Sequence, residues 1–248
     1  MNIFYVDLAP WWPLLSPVDD YEDEASEVAR LIEAHSPGAR TVLELGSGGG
    51  HNAYHLKRRF SMTLTDLSRA MLDVSAQLNP DCEHVVGDMR TLDLDRRFDV
   101  VFAHDAVDYM TTEADLEAAL ATAYRHLKPG GLALFVPDHV KERYAPGTEC
   151  GGTDGAGGRA LRYLEWSTEV APGDTTGTTH YSFLVREADG SVRCLHEEHV
   201  FGLFPQATWV HLFERCGFAV QVVEERTDDE RTPRLVFLGR KPGAAEVR

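Results

Sequence analysis

Basic residues are scarce in this chain. Of its 248 residues, 24 are Lys or Arg and 40 are Asp or Glu, a formal net charge of −16. Non-specific attraction to a phosphate backbone depends on Lys and Arg displacing counterions. This balance, without a basic stripe or zinc-finger spacing, predicts no nucleic-acid partner. Cysteine is scarcer still. Cys82, Cys150, Cys194 and Cys216 are widely spaced and form no C-x-x-C pair, the pattern of reduced thiols in a cytoplasmic protein rather than of a disulfide framework. The amino-terminal stretch lacks the basic and apolar blocks of a secretory signal. No apolar run approaches the roughly 20 residues that span a bilayer, so a soluble protein with no membrane partner is expected. A hydrophobic content of 43% over this length predicts one substantial core and a single domain over 1–248.

What is present centres on the run Val42-Leu43-Glu44-Leu45-Gly46-Ser47-Gly48-Gly49-Gly50. A short apolar run with an acid near its end, then a glycine turn, predicts a buried strand that delivers its backbone to a ligand before a helix begins. The glycines let main-chain N–H groups approach a bound molecule where a Cβ would collide. Asp66 ends the next apolar run, 18 positions beyond Gly48, where an acid accepts from both hydroxyls of a ribose. Asp88 follows Glu83 to Gly87 and is placed to accept from an adenine amino group, with Leu67 and Met89 sandwiching the ring. Together these strand ends imply an adenosine-bearing ligand. The dinucleotide pattern G-x-G-x-x-G, counted from Gly46, needs glycine where this chain has His51, which argues against NAD.

The Glu44 to Gly50 pattern resembles motif I of the class I S-adenosylmethionine-dependent methyltransferases. Arg97 to Asp105 resembles that family's fourth strand, and Leu127 to Phe135 its turn into strand five. The resemblance covers about residues 19 to 137 in the right order. It implies a Rossmann-like α/β fold with a seven-stranded, mostly parallel sheet and helices on both faces, and S-adenosyl-L-methionine as cofactor. It places Glu44, Gly46, Ser47 and Gly48 at the aminocarboxypropyl end of the cofactor. The implied activity is methyl transfer to nitrogen or oxygen of a small metabolite, by a monomer or homodimer. The rival readings are a noncatalytic scaffold that binds the same cofactor and an NAD-dependent oxidoreductase.

Periodicity supplies the order of elements. Tyr21 to His35 carries Val28, Leu31 and Ile32 at helical spacing, so residues 1–36 are expected to form an N-terminal lid and helix. Strands are expected at 41–45, 62–66, 83–87, 98–103 and 132–136, with helices between them, including one capped by Ser68. A helix from Pro205 to Arg215 and strands at 218–223 and 235–239 complete the pattern, the last antiparallel by resemblance. Residues 139–204 break it. Gly147 to Gly158 is glycine-rich, whereas 161–169, 180–187 and 192–201 alternate as antiparallel strands. A small sheet inserted after strand five is expected to roof the substrate pocket.

A sulfonium methyl is already electrophilic, so alignment and water exclusion supply most of the acceleration and a base is optional. Candidates for catalysis are His104, Asp105, Asp108 and Tyr109 after strand four, and Asp138 and His139 after strand five, with His139 leading. His104 is equally placed to orient the cofactor. In the aromatic cluster before the core, Tyr21 is assigned to the cofactor and Trp12 to the acceptor. Tyr144, Tyr163, Trp166, Tyr181 and His199 are the acceptor candidates of the insertion. His51 and His55 have helical zinc spacing, but Asn52 stands where H-E-x-x-H needs glutamate, and His196 and His199 fall on opposite strand faces. No metal site is predicted. The insertion, with His180-Tyr181, His196 to His199 and Leu203-Phe204-Pro205, resembles that of deoxyaminosugar N,N-dimethyltransferases acting on nucleotide-linked sugars, and also that of broader small-molecule N- and O-methyltransferases. The turn at Val107 to Met110 departs from theirs. Asp105, Asp108 and Asp138 favour a cationic amine, while a nucleotide diphosphate would need Arg143, Arg159 or Arg162.

Overall fold

The computed structural model describes residues 2–226 and 232–243. A short helix α1 (Trp12–Leu15) and a long helix α2 (Glu22–His35) precede the alternating unit β1 (Thr41–Leu45), α3 (His51–Leu56), β2 (Ser61–Asp66), α4 (Arg69–Leu78) and β3 (Glu83–Val86). Then follow β4 (Phe98–Ala103), α5 (Glu113–His126) and β5 (Leu127–Phe135). The inserted strands are β6 (Gly147–Gly151), β7 (Ala160–Ser167), β8 (Thr176–Arg186) and β9 (Val192–Gly202), and α6 (Gln206–Arg215), β10 (Ala219–Glu224) and β11 (Leu235–Arg240) close the described chain.

The main sheet has the order β10-β11-β5-β4-β1-β2-β3, parallel except for β11, which runs antiparallel to both β5 and β10. Its strands read as continuous apolar runs because both faces are covered. Val42, Val100, Phe102, Leu132 and Leu134 pack toward α2 and α3. Leu43, Leu45, Val101, Ala103 and Phe135 face the other way, onto α5 and α6. The helices begin where the sequence supplies caps: the Ser68 hydroxyl accepts from the Met71 N–H, and that of Thr112 from Asp115 N–H.

The insertion is a four-stranded antiparallel sheet ordered β6-β7-β8-β9. The glycine-rich stretch thus contributes a strand: Gly147–Gly151 pairs with Ser167 back to Tyr163. Backbone pairing, not side-chain burial, holds it there, since four of its five residues are exposed. Phe4, Trp11, Leu161, Phe183 and Val185 form a separate apolar cluster that ties the amino-terminal segment to this sheet.

Candidate active site

The carboxyl ends of β1, β2, β3 and β4 converge on one cavity of about 490 Å³, roofed by the inserted sheet and closed on one side by the amino-terminal aromatics. Gly46 and Gly50 have φ of +72° and +76°, which L side chains rarely adopt. A Cβ on Gly46 would lie 2.4 Å from that of Ala106, the floor beyond β4, so glycine is required for β1 and the β4 turn to approach this closely.

The cavity brings together Tyr21, Glu44, Gly46, Ser47, Gly48, Asp66, Leu67, Asp88, Met89 and His104. Asp66 steadies the glycine loop, accepting from the Gly48 N–H at 2.8 Å and the Ser68 N–H at 2.7 Å. Asp88 is forked by Arg90, at 2.6 Å for the closest pair, and that hydrogen bonding holds its carboxyl below the usual range. Glu44 is only 2% exposed and its Oε2 has no partner within the protein. Burial, aided by Asp105 and Asp66, pushes Glu44 up to about 8. Such an acid calls for a cation.

Above this floor the inserted sheet turns one face to the cavity. Tyr163 and Glu165 of β7, Tyr181 and Phe183 of β8, and His199 and Phe201 of β9 all line it, two residues apart on each strand. From this face a file of polar groups runs toward the floor, hydrogen-bonded from His199 through Tyr109 to Tyr5. The Glu197 carboxylate accepts from the Ile3 and Phe4 N–H groups and lies 3.3 Å from His199 Nε2. His199 Nδ1 is 2.8 Å from the Tyr109 hydroxyl, which is 2.7 Å from that of Tyr5. Burial holds His199 below the usual histidine value and raises both tyrosines. A neutral His199 accepting at Nδ1 orients the Tyr109 O–H toward itself, leaving the Tyr109 oxygen to accept from Tyr5.

Several expectations require correction. His139, the leading base from sequence, is exposed and outside the cavity, its ring edge-on to Tyr144 at 5.5 Å. Asp108 is buried behind the wall, where its carboxylate accepts from the Asp138 N–H at 2.9 Å. Tyr144 donates to the Thr168 carbonyl, and Trp166 is 56% exposed on the outer face, beside His180. Neither lines the cavity. Trp12 does, but at the glycine loop: its indole N–H donates to His51 Nδ1 at 3.0 Å, and a Cβ on Gly49 would meet its ring. His104 lies 3.5 Å from both Glu24 and Asp105; burial and Arg234 oppose its charged form, but the two acids outweigh them and raise it.

Tyr5, Glu165 and Glu197 were not singled out from sequence. Strand alternation offered a signal for Glu165, which shares a face with Tyr163, and for Glu197, which shares one with His199. No local signal marked Tyr5 apart from its aromatic neighbours.

Residues 42–131 match the family model for a methyltransferase domain. Over 204 residues the chain is 31% identical to a dTDP-3-amino-3,6-dideoxy-alpha-D-glucopyranose N,N-dimethyltransferase of Streptomyces fradiae, covering 82% of this chain and 79% of that enzyme. The chain belongs to the class I S-adenosylmethionine-dependent methyltransferases. Its fold superposes on Streptomyces venezuelae DesVI with a TM-score of 0.79 at 28% identity, covering 91% of this chain and 92% of that one. It is similar also to CalS10, an amino pentose methyltransferase from Micromonospora echinaspora solved with S-adenosylmethionine bound, with a TM-score of 0.74 at 28% identity over 89% and 91% of the two chains. The cofactor is therefore S-adenosylmethionine, and this membership displaces the oxidoreductase reading. The residues fit that cofactor, because the buried, unpartnered Glu44 oxygen awaits a cation beside a glycine cradle.

Proposed function

We propose that this chain methylates the amine nitrogen of a deoxyaminosugar in the cytoplasm. The observation that carries this reading is the file Tyr5, Tyr109, His199, Glu197, which leads a proton from the cavity to a buried imidazole. The relatives support it: the Streptomyces fradiae enzyme is an N,N-dimethyltransferase of such a sugar.

Glu44 would take the cofactor's ammonium, Asp66 its ribose hydroxyls, and Leu67, Met89 and Asp88 its adenine; Asp88 retains lone pairs outside the Arg90 fork. Tyr21 and Ser47 close the aminocarboxypropyl end. The cofactor supplies an electrophilic methyl on a sulfonium. Tyr181, His199 and the aromatic roof hold the acceptor and exclude water, so that the amine lone pair forms the N–C bond as the C–S bond breaks toward sulfur. An amine must arrive without its proton. Tyr5 accepts that proton while passing its own to Tyr109, and Tyr109 passes one to His199 Nδ1. The Glu197 carboxylate, 3.3 Å from Nε2, then faces an imidazolium.

The test is methyl transfer to a panel of aminosugars, read by mass and by release of the demethylated cofactor. Tyr109→Phe is expected to lower kcat by about 10²-fold near neutral pH, with cofactor affinity unchanged. Because an alkaline medium deprotonates the amine without help, the deficit should shrink as pH rises toward the amine's own pKa. A deficit constant across pH would show that Tyr109 merely shapes the pocket, and transfer confined to hydroxyl acceptors would refute the amine reading.

A further inference from the structure

The inserted sheet is apolar on both faces. The positions that line the cavity are odd-numbered, from Tyr163 and Glu165 to Phe201, and strand alternation sends the even-numbered ones outward. There β7 presents Leu164 and Trp166, β8 presents Leu184, and β9 presents Val192 and Val200, all 40–61% exposed. These are five of the nine large apolar side chains exposed among the described residues. An antiparallel sheet with one face in water has polar residues on that face; apolar area gathered as it is here belongs to a surface that another molecule covers.

Charge and size identify the cover. In a chain of net charge −16, the charged residues at outward positions of these four strands are Arg162, Arg186 and Glu198, so acids are kept off this face. The register sets out the rest. Leu164, Ser182 and His196 lie abreast across the middle, with Arg162, Leu184 and Cys194 abreast on one side and Trp166, His180 and Glu198 on the other. Arg186 lies beyond Leu184, so both arginines stand at one end and the glutamate at the opposite one. A half-turn about an axis lying across the strands along the middle row sets Arg162 of one copy over the Trp166 ring of the other and brings Arg186 within reach of Glu198. Arg162 is held on one side by Asp154 at 2.8 Å and Arg186 by the Gly158 carbonyl at 2.9 Å, and each guanidinium keeps donors for a partner. The strands, of five, eight, eleven and eleven residues, spread over roughly 550 Å² in projection. Side-chain relief brings this near the roughly 800 Å² that each partner contributes to a standard interface.

We propose that the outward face of the inserted sheet is the contact between two copies of this chain, packed sheet on sheet about a two-fold axis that runs along Leu164, Ser182 and His196. The sheet that roofs each acceptor cavity is then backed by that of its partner. Trp166, turned away from the cavity, is the anchor of this interface.

The experiment is sedimentation equilibrium of the full chain. At about 20 μM the parent should have twice the 27.6 kDa mass of one chain, with a Kd of about 1 μM or tighter. Trp166→Glu should weaken association at least about 10²-fold, with the circular dichroism and the S-adenosylhomocysteine affinity of the parent retained. Leu184→Glu, on another strand of the face, repeats the test should the first variant fail to fold. Arg186→Glu and Glu198→Arg should each weaken association about tenfold, and the two together should restore it. Cys194, abreast of Leu184 and exposed in the single chain, should react with iodoacetamide at least about tenfold more slowly in the paired parent than in Trp166→Glu. A parent still monomeric at about 100 μM overturns the proposal, as does a dimer that survives Trp166→Glu and Leu184→Glu. Charge reversals whose effects add rather than cancel overturn the two-fold arrangement.

Discussion

Glu44 couples the cofactor site to pH. Its carboxyl is pushed up to about 8 by burial, then by Asp105 and Asp66, so it holds a proton at neutral pH in the empty protein. The sign follows from linkage: a folded pKa above the unfolded value gives stability that is fully present in acid and lost as pH rises from about 4.5 through about 8. An ammonium pairs with the ionised form only. Cofactor binding at pH 7 is therefore expected to release close to one proton, and affinity to rise with pH until about 8. Calorimetry in two buffers of different ionisation heat measures the proton count. Glu44→Gln should abolish both the release and the pH dependence; a variant that still releases the proton would move the linkage to another group.

The inserted sheet shows why strand register matters more than residue type. Phe183, buried and stacked 5.0 Å from Phe4, fastens the amino-terminal segment that brings Tyr5 to the cavity. Phe183→Ala should cost about 3–5 kcal/mol, seen in urea denaturation, and should open residues 2–15 to protease before the rest unfolds. Protease resistance equal to that of the parent would place the anchor elsewhere. The parallel half of the molecule was legible from sequence because each strand ends on its own chemistry. Asp66 and Asp88 stand at or just beyond strand ends, and the fold needs only to align those ends. The acceptor half was less so. Trp166 and Glu165 are adjacent, so alternation puts Glu165 on the face of Tyr163 and Trp166 on the other, but which face turns to the cavity is set by how β7 and β8 pack over the parallel sheet; the larger aromatic drew the assignment and the glutamate occupies the wall. His139 failed for a similar reason: it follows β5 as expected, but the chain turns its ring out toward Tyr144. Gly147–Gly151 carries no alternation of its own and is a strand only because β7 presents a free edge to it.

At the scale of the whole molecule, Arg234 joins segments far apart in the chain. It sits just before β11, is 10% exposed, and reaches Glu24 on α2, Asp138 after β5 and Glu225 after β10. Glu24 in turn lies 3.5 Å from His104 at the end of β4. In a chain of net charge −16, one guanidinium thus gathers carboxylates that would otherwise repel one another beside the cavity. Arg234→Met keeps most of the side-chain volume and removes the charge. Because breaking a buried ion network leaves its acids with less compensation, the variant should lose about 3–5 kcal/mol at neutral pH. A double-mutant cycle with Glu225→Gln should show a coupling of about 1–3 kcal/mol, little reduced by salt because the pair is shielded from solvent ions. Cofactor affinity should fall in the same variant, since Glu24 and His104 lose a fixed neighbour. A coupling near zero would mean that the burial cost of these charges cancels their attraction, and that apolar packing alone holds the ends of β5, β10 and α2 in register over the site.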